Sequence, residues 1–584
     1  MTIDPGRDIA SDIAGINLAA MTARDVPAGS ASIWERLLAA LAATHARACA
    51  ALIVLALACF LPGFLSLQPM DRDEPRFAQA TKQMLETGDF VDIRFQDEAR
   101  HKKPVGIYWL QSASVKAAEA LGVPEARVTI GVYRVPSLLG AIGVVLATYW
   151  AALAFVGRRA AFLAGVMMAS SILLGVEARL AKTDAVLALS ATLMLGGLAR
   201  AWLTRDGPLD RSTMVIFWAA TALGVLVKGP IVLMIAGLAT LVLSLWNRSA
   251  GWFMRLRPGL GLLLVAAVVL PWFVAIAFKS DGAFFQESVG KDMFGKVAGQ
   301  AERHGAPPGL YFLAFFATFW PGAALVALAG PYVWATRREP EVIFCLAWII
   351  PSWVIFELVP IKLPHYVLPL YPALAILTVL ALTRGALRPL LRGAGATAAL
   401  MPLIPVLLAG GLAFGAYWLD GAVPFLGLPL LFVSALVALA GARSFLAERP
   451  VDAIGQGVVA GFIAVVAVFG LIQPVLSSLK LSPRLAAAAK AVGCEAPAIV
   501  TAGYREPSLV FLVGTELAMA DGAEAARFLT RGGCRIAFVT QREDAAFQAE
   551  LARLSLRPAM VTRVTGFNIN GGRKLDIGVF AVRP

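Results

Sequence analysis

Residues 258–278 read PGLGLLLVAAVVLPWFVAIAF, a run without one charged side chain. As a helix rising 1.5 Å per residue, such a run covers about 30 Å, the thickness of a bilayer's hydrocarbon. Runs of similar length recur upstream near 48–67, 137–156, 160–178, 183–200, 212–228 and 230–246, and downstream near 309–330, 341–358, 364–382, 396–418, 424–441 and 453–473. The pattern predicts about thirteen spans of an α-helical polytopic membrane protein. Composition agrees, since 59% of residues are apolar and 15% charged, against about 25% charged in soluble chains.

Lys and Arg number 51 and Asp and Glu 38, a net charge of +13. The segments 157–159, 200–211, 248–257, 336–338, 384–392 and 443–449 are all basic and separate alternate pairs of runs. Positive-inside loops place them, with the N-terminus, in the cytoplasm. This accounts for the surplus without a nucleic-acid partner. The first 48 residues lack a small-residue cleavage site, so the first span is expected to stay in place. An odd span count then puts the C-terminal tail outside, with the loops 68–136 and 279–308. The expected organisation is a cytoplasmic segment (1–47), a transmembrane domain (48–476) and an external α/β domain (477–584).

In the first external loop, 75–86 (PRFAQATKQMLE) and 104–120 (PVGIYWLQSASVKAAEA) each begin with proline and continue with helical apolar spacing. They are expected to lie along the membrane–water interface, with Phe90, Tyr108 and Trp109 in its aromatic belt. Beyond Leu481, short apolar runs at 498–502, 535–540 and 577–582 alternate with helical stretches at 484–492, 522–531 and 541–553, the pattern of a small α/β domain. Cys494 and Cys534 each precede one of these runs. Parallel strands joined by a crossover begin at one sheet edge, so the pair is either a disulfide in an oxidising compartment or two partly buried thiols.

Charges at membrane ends are expensive and mark function when topology does not need them. The first span is followed by Asp71-Arg72-Asp73-Glu74-Pro75-Arg76. A helix cap ahead of Pro75 explains Glu74 but not the second acid. Glu177-Ala178-Arg179-Leu180-Ala181-Lys182-Thr183-Asp184 ends the third span on the same side, where Asp184 reads equally as a cap or a functional acid. Lys102-Lys103-Pro104, Lys228-Gly229-Pro230, His304 and Lys362-Leu363-Pro364-His365-Tyr366 bring cations from four further loops. One lysine there is a snorkelling anchor. Several beside paired carboxylates suit an anionic ligand at membrane depth, such as a lipid-linked phosphate.

Taken in order, these motifs resemble the GT-C membrane glycosyltransferases. More narrowly, Asp73-Glu74-Pro75-Arg76-Phe77-Ala78, Lys103-Pro104-Val105-Gly106-Ile107-Tyr108-Trp109 and Ala181-Lys182-Thr183-Asp184-Ala185 resemble the aminoarabinose lipid A transferases and their relatives in the protein O-mannosyltransferase superfamily. Leu226 to Pro230, His304 to Tyr311 and Lys362 to Pro369 extend the likeness, which covers about residues 48–380. It implies a polyprenyl-phosphate sugar donor, lipid A or another envelope acceptor, and inverting transfer on the periplasmic face. Asp73 would be the base or acceptor-orienting residue and Asp184 its partner. Lys103, Lys362, Tyr366 and Arg76 would hold the donor phosphate, with Glu74, Lys102, Lys228, His304 and His365 around the pocket. Lys102 stands where the arabinose transferases often carry a glutamate associated with metal, which leaves a divalent metal open, and His304 alone makes a weak metal site. Phe77 replaces a frequent tyrosine, which leaves sugar and acceptor open. The alternatives are a protein O-mannosyltransferase-like enzyme and a transporter or flippase of lipid-linked sugars. Against transport stand the paired external acids and the lack of matching interrupted spans.

Overall fold

The computed structural model describes residues 31–71, 73–204, 208–295, 305–389 and 393–582. Among them nine helices are long and apolar enough to cross a membrane, and two bent pairs raise the number to eleven. Ile33–Leu41 meets His45–Phe60 at 114°, and Arg158–Ser170 meets Ile172–Ala178 at 62°. The second bend is local chemistry. Ser171 is extended and its hydroxyl accepts from the amide of Leu174, so it starts a new helix. The run at 230–246 forms the 16-residue helix Ile231–Trp246. The run at 309–330 divides into Leu310–Thr318 and Ala323–Ala335 around Pro321, which cannot donate to a continuing helix. These two runs are therefore shorter as helices than the sequence pattern suggests.

Ile130–Ala152 and Asp184–Leu203 are each 72% buried, against 22% for Pro258–Lys279 and 17% for Ala394–Asp420. The first two thus form the centre, and the outer two present apolar faces to lipid. Gly140 permits this close central contact, because a Cβ there would come within 3.0 Å of the backbone nitrogen of Val186.

At the end of the bundle that carries the acidic motif, the chain between His45–Phe60 and Glu74–Thr87 is wrapped around Arg134, which is fully buried. All five guanidinium donors are used. Nε and Nη2 meet the two Glu74 oxygens at 2.7 and 2.9 Å, and the rest reach the carbonyls of Phe64, Leu67 and Gln68 at 2.9 to 3.0 Å. Non-helical carbonyls buried here need a donor, and the planar fork of arginine supplies several at once. Glu74 also accepts from the amides of Met70 and Ala181, each at 2.8 Å. The sequence reading gave Glu74 a place in the pocket. Glu74 lines a cavity together with Asp73, and its carboxylate is also bound in this fastening.

The two helices expected in the 68–136 loop form, as Glu74–Thr87 and Gly106–Ala120. They do not lie open on an interface. Glu74–Thr87 is buried along most of its length between Gly106–Ala120 and the C-terminal helix Pro507–Val513, whose Phe511 is fully enclosed and meets the Tyr133 ring edge-on at 5.3 Å. Tyr108 is fully buried beside Phe77, so it belongs to this core and not to an aromatic belt. Trp109 is partly exposed, and its indole donates to the Phe90 carbonyl at 2.9 Å.

A two-stranded hairpin, β1 (Arg94–Phe95) and β2 (Glu98–Ala99), lies between these two helices in the chain. The C-terminal region holds β3 (Ala498–Ala502), β4 (Ala518–Ala520), β5 (Arg535–Thr540), β6 (Ala559–Asn568) and β7 (Arg573–Val582) in the order β4-β3-β5-β7-β6. The first three are parallel, and β7 runs antiparallel to β5 and β6. Leu481–Ala491 and Pro507–Val513 cover one face, Gly522–Phe528 and Gln541–Arg553 the other. β4 and β6 escape the sequence pattern because one is three residues long and the other is an exposed edge.

Cys494 and Cys534 are bonded, with Cα atoms 6.3 Å apart, beside the parallel register that pairs Ala498 with Arg535. The bond closes a loop of 40 residues, a constraint of roughly 4 kcal/mol on the unfolded domain in the chain-entropy account. Thiol labelling of the unreduced, denatured chain is expected to modify Cys49, Cys59 and Cys345 and to spare Cys494 and Cys534. Labelling of all five would sink the pairing.

Candidate active site

Asp73 precedes the first residue of Glu74–Thr87 but makes no capping hydrogen bond to that helix. It lines a cavity of about 320 Å³ with Asp71, Lys182, Arg179, Phe469 and Gln473 among its neighbours. The floor is held by Arg179, which is fully buried, donates to the carbonyls of Pro62, Cys59 and Gly175, and lies 4.5 Å from the Phe469 ring centroid.

Lys182 joins this cavity to a second, buried cluster. Its ammonium is 3.2 Å from Glu177 and 3.7 Å from Asp184. Asp184 opens the helix Asp184–Leu203, where the helix dipole favours a carboxylate. It accepts a hydrogen bond from Lys228 at the end of Arg211–Lys228. His365 lies between the acids, with Nδ1 3.5 Å from Glu177 and Nε2 3.5 Å from Asp184. The Lys228 ammonium is 5.7 Å from the centre of the Tyr366 ring. Five segments that are remote in sequence therefore meet at one end of the bundle.

The sequence-predicted residues divide accordingly. Asp73 lines the cavity, while Asp184, Lys228, His365 and Tyr366 gather behind it. Lys362 is drawn off, since its ammonium caps the helix Pro340–Leu358 through the carbonyls of Glu357 and Val359 at 2.7 and 2.8 Å. Lys102 is exposed, and Lys103 and Arg76 are half-buried outside the lining of this cavity. His304 falls outside the described residues. Sequence reasoning missed the roles of Glu177, Arg179 and Lys182. Their signal was present in the quoted 177–184 motif, where four charges at a span end exceed what a cap needs.

Glu177, Asp184 and His365 offer ligand atoms within 4.8 Å of one another, close enough for a metal ion. Their surroundings fit a metal poorly. Lys182 and Lys228 already neutralise the two carboxylates, so a divalent cation would bring two further charges into a balanced buried site and displace Lys228 from Asp184. No step below runs through a metal.

Asp71 has a different partner. Its carboxylate accepts from the amide of Ser508 at 2.9 Å and from the Ser508 hydroxyl at 2.6 Å. Burial raises its pKa to about 7 from 3.8, helped by the negative charges of Glu506 and Glu74 and opposed by the two Ser508 bonds. A carboxyl raised by folding contributes stability that is complete below its unfolded pKa and is lost as pH climbs through the folded one. Thermal stability of the detergent-solubilised protein is therefore expected to fall between about pH 4 and pH 7 by an increment that Asp71→Asn removes. An identical pH profile in Asp71→Asn would refute the assignment.

With the geometry in place, comparison with known proteins is informative. A model of the dolichyl-phosphate-mannose-protein mannosyltransferase family matches residues 47–282. An undecaprenyl phosphate-alpha-4-amino-4-deoxy-L-arabinose arabinosyl transferase of Pseudomonas fluorescens is 28% identical over 311 residues, 52% of this chain and 51% of its own length. The corresponding Pseudomonas aeruginosa protein is 26% identical over 310 residues, 52% of this chain and 54% of its own. The chain thus spans about half the length of the curated relatives it matches. The crystal structure of ArnT from Cupriavidus metallidurans bound to undecaprenyl phosphate shares the fold, with a TM-score of 0.70 at 20% identity over 91% of this chain and 97% of that one. Its apo state gives 0.67. Over residues 47–282 the chain is thus similar to the protein mannosyltransferase family, over about half its length to the aminoarabinose transferases, and in fold to ArnT.

Proposed function

We propose that this membrane protein is a glycosyltransferase that moves a sugar from a polyprenyl phosphate to lipid A or another envelope acceptor. The observation that carries this reading is the division of labour among three neighbouring acids. All three line the cavity, where Glu74 is bound by Arg134 and Asp71 by Ser508, while Asp73 makes no capping bond to its helix. A carboxylate so placed suits the acceptor. In a single displacement the acceptor oxygen attacks the anomeric carbon, and the bond from that carbon to the phosphate oxygen breaks. Its electron pair stays on the phosphate, and the acceptor's proton passes to Asp73 when the acceptor is a hydroxyl. The configuration inverts. Lys103 and Arg76, half-buried outside the lining of this cavity, would stabilise the charge left on the phosphate, and Lys182 lines the cavity with Asp73. Asp184, held by Lys228, would keep Lys182 in place.

In the same reading the two shorter apolar helices also cross, giving thirteen spans. The N-terminus is then cytoplasmic, and the region 477–584 forms a periplasmic domain over the site in 48–476. The test is the purified full-length protein in vesicles with a labelled polyprenyl-phosphate sugar and extracted envelope lipids. Label on an acceptor lipid, with loss of donor, supports the transferase. Label on protein points to a mannosyltransferase-like acceptor, and intact donor moved across the bilayer would replace the reading with a flippase.

A further inference from the structure

Asp73 lies between two fastened neighbours. On one side Glu74 is locked to Arg134. On the other, Asp71 is held by Ser508, 437 residues away in the C-terminal domain. Ser508 is itself oriented, since its hydroxyl is 2.6 Å from the Ser482 hydroxyl, which is 2.8 Å from that of Tyr504, and all three side chains are buried.

Docking alone does not call for this contact. The C-terminal domain already grips the helix Glu74–Thr87 elsewhere. Gln79 donates to Thr515, Lys82 donates to the Phe511 carbonyl, Thr515 donates to Glu86, and the Phe511 ring is enclosed. The Asp71–Ser508 contact comes from the same helix, Pro507–Val513, as Phe511, but it is made to Asp71, ahead of the helix Glu74–Thr87 and just before Asp73. It also encloses a carboxylate against a neutral hydroxyl and an amide, an arrangement that apolar packing would avoid. Its distinctive product is a turn fixed at both ends.

We propose that Ser508 is a positioning residue for transfer: by holding Asp71 it fixes the turn that aims the Asp73 carboxylate at the cavity, so the C-terminal domain sets the geometry of the reaction. This rests on the transferase reading above.

The experiment uses the full-length protein in vesicles, as wild type, Ser508→Ala, Ser508→Thr, Asp71→Asn and Ser508→Ala with Asp71→Asn. Ser508→Ala is expected to lower kcat about tenfold with donor KM changed less than about twofold, since one bond to a carboxylate is lost and the reacting group is misaimed. Ser508→Thr, which keeps the hydroxyl, should recover most of the rate. The double variant should be no slower than Asp71→Asn alone. Amide exchange should rise over residues 69–76 in Ser508→Ala and stay unchanged over 507–517. An unchanged kcat, unchanged exchange at 69–76, or equal loosening of 507–517 would overturn the proposal, the last by reducing Ser508 to a docking contact. If Ser508→Ala does not fold, Asp71→Asn is read by the same two measurements against the same outcomes. Exchange that behaves as expected in a protein that transfers no sugar would overturn the transferase reading and leave the fixed turn standing.

Discussion

Asp73→Asn is expected to abolish sugar transfer while the protein inserts, folds and melts as the wild type does. The substitution is nearly isosteric, and Asp73 makes no capping bond to its helix, so little of the fold depends on its charge. What goes is the acceptor for the incoming group's proton, or the anion that orients it. A positioned base contributes about 10²-fold or more. Turnover by Asp73→Asn above about a tenth of wild type would remove the residue from the chemistry. The comparison is sharpest beside Glu74→Gln, which should lose folded protein rather than chemistry.

The second large effect is expected at Arg134. Arg134→Ala would leave the Glu74 carboxylate and three backbone carbonyls buried without their donor. Removing one partner of a buried pair costs about 3 to 5 kcal/mol, because the other charge stays uncompensated. Arg134→Lys should recover little, since one ammonium cannot replace five donors held in a planar fork. Yield of folded protein and the unfolding midpoint in detergent measure it. A midpoint within a few degrees of wild type would show that water satisfies those groups and that the fastening is not needed.

The spans were legible because a membrane imposes one crude requirement, a long uncharged run, and 258–278 meets it. What breaks a run is subtler. Ser171 divides one helix through a single hydroxyl, and no hydropathy window records that. The acids of the site were legible too, since Asp71, Asp73 and Glu74 stand together where topology needs none. Their assignment was not. Glu74 is told from Asp73 by Arg134, 60 positions on, and Asp71 by Ser508, 437 positions on. Lys362 misled for the same reason: a lysine that caps a neighbouring helix end and one that faces a phosphate read alike in sequence. Tyr108 read as an interfacial aromatic because residues of the core it joins, such as Leu226, Trp272 and Phe284, come more than a hundred positions later.

Those separations bear on synthesis. A ribosome releases Asp73 before the partners on which the turn around it depends: Arg134, then the amide of Ala181 and, hundreds of residues later, Ser508. The first chemical group to be made is thus among the last to be set in position. A nascent chain that has not yet reached Ser508 carries every charge of the acidic motif without the finished turn, and the site becomes competent only once Ser508 has been made and seated.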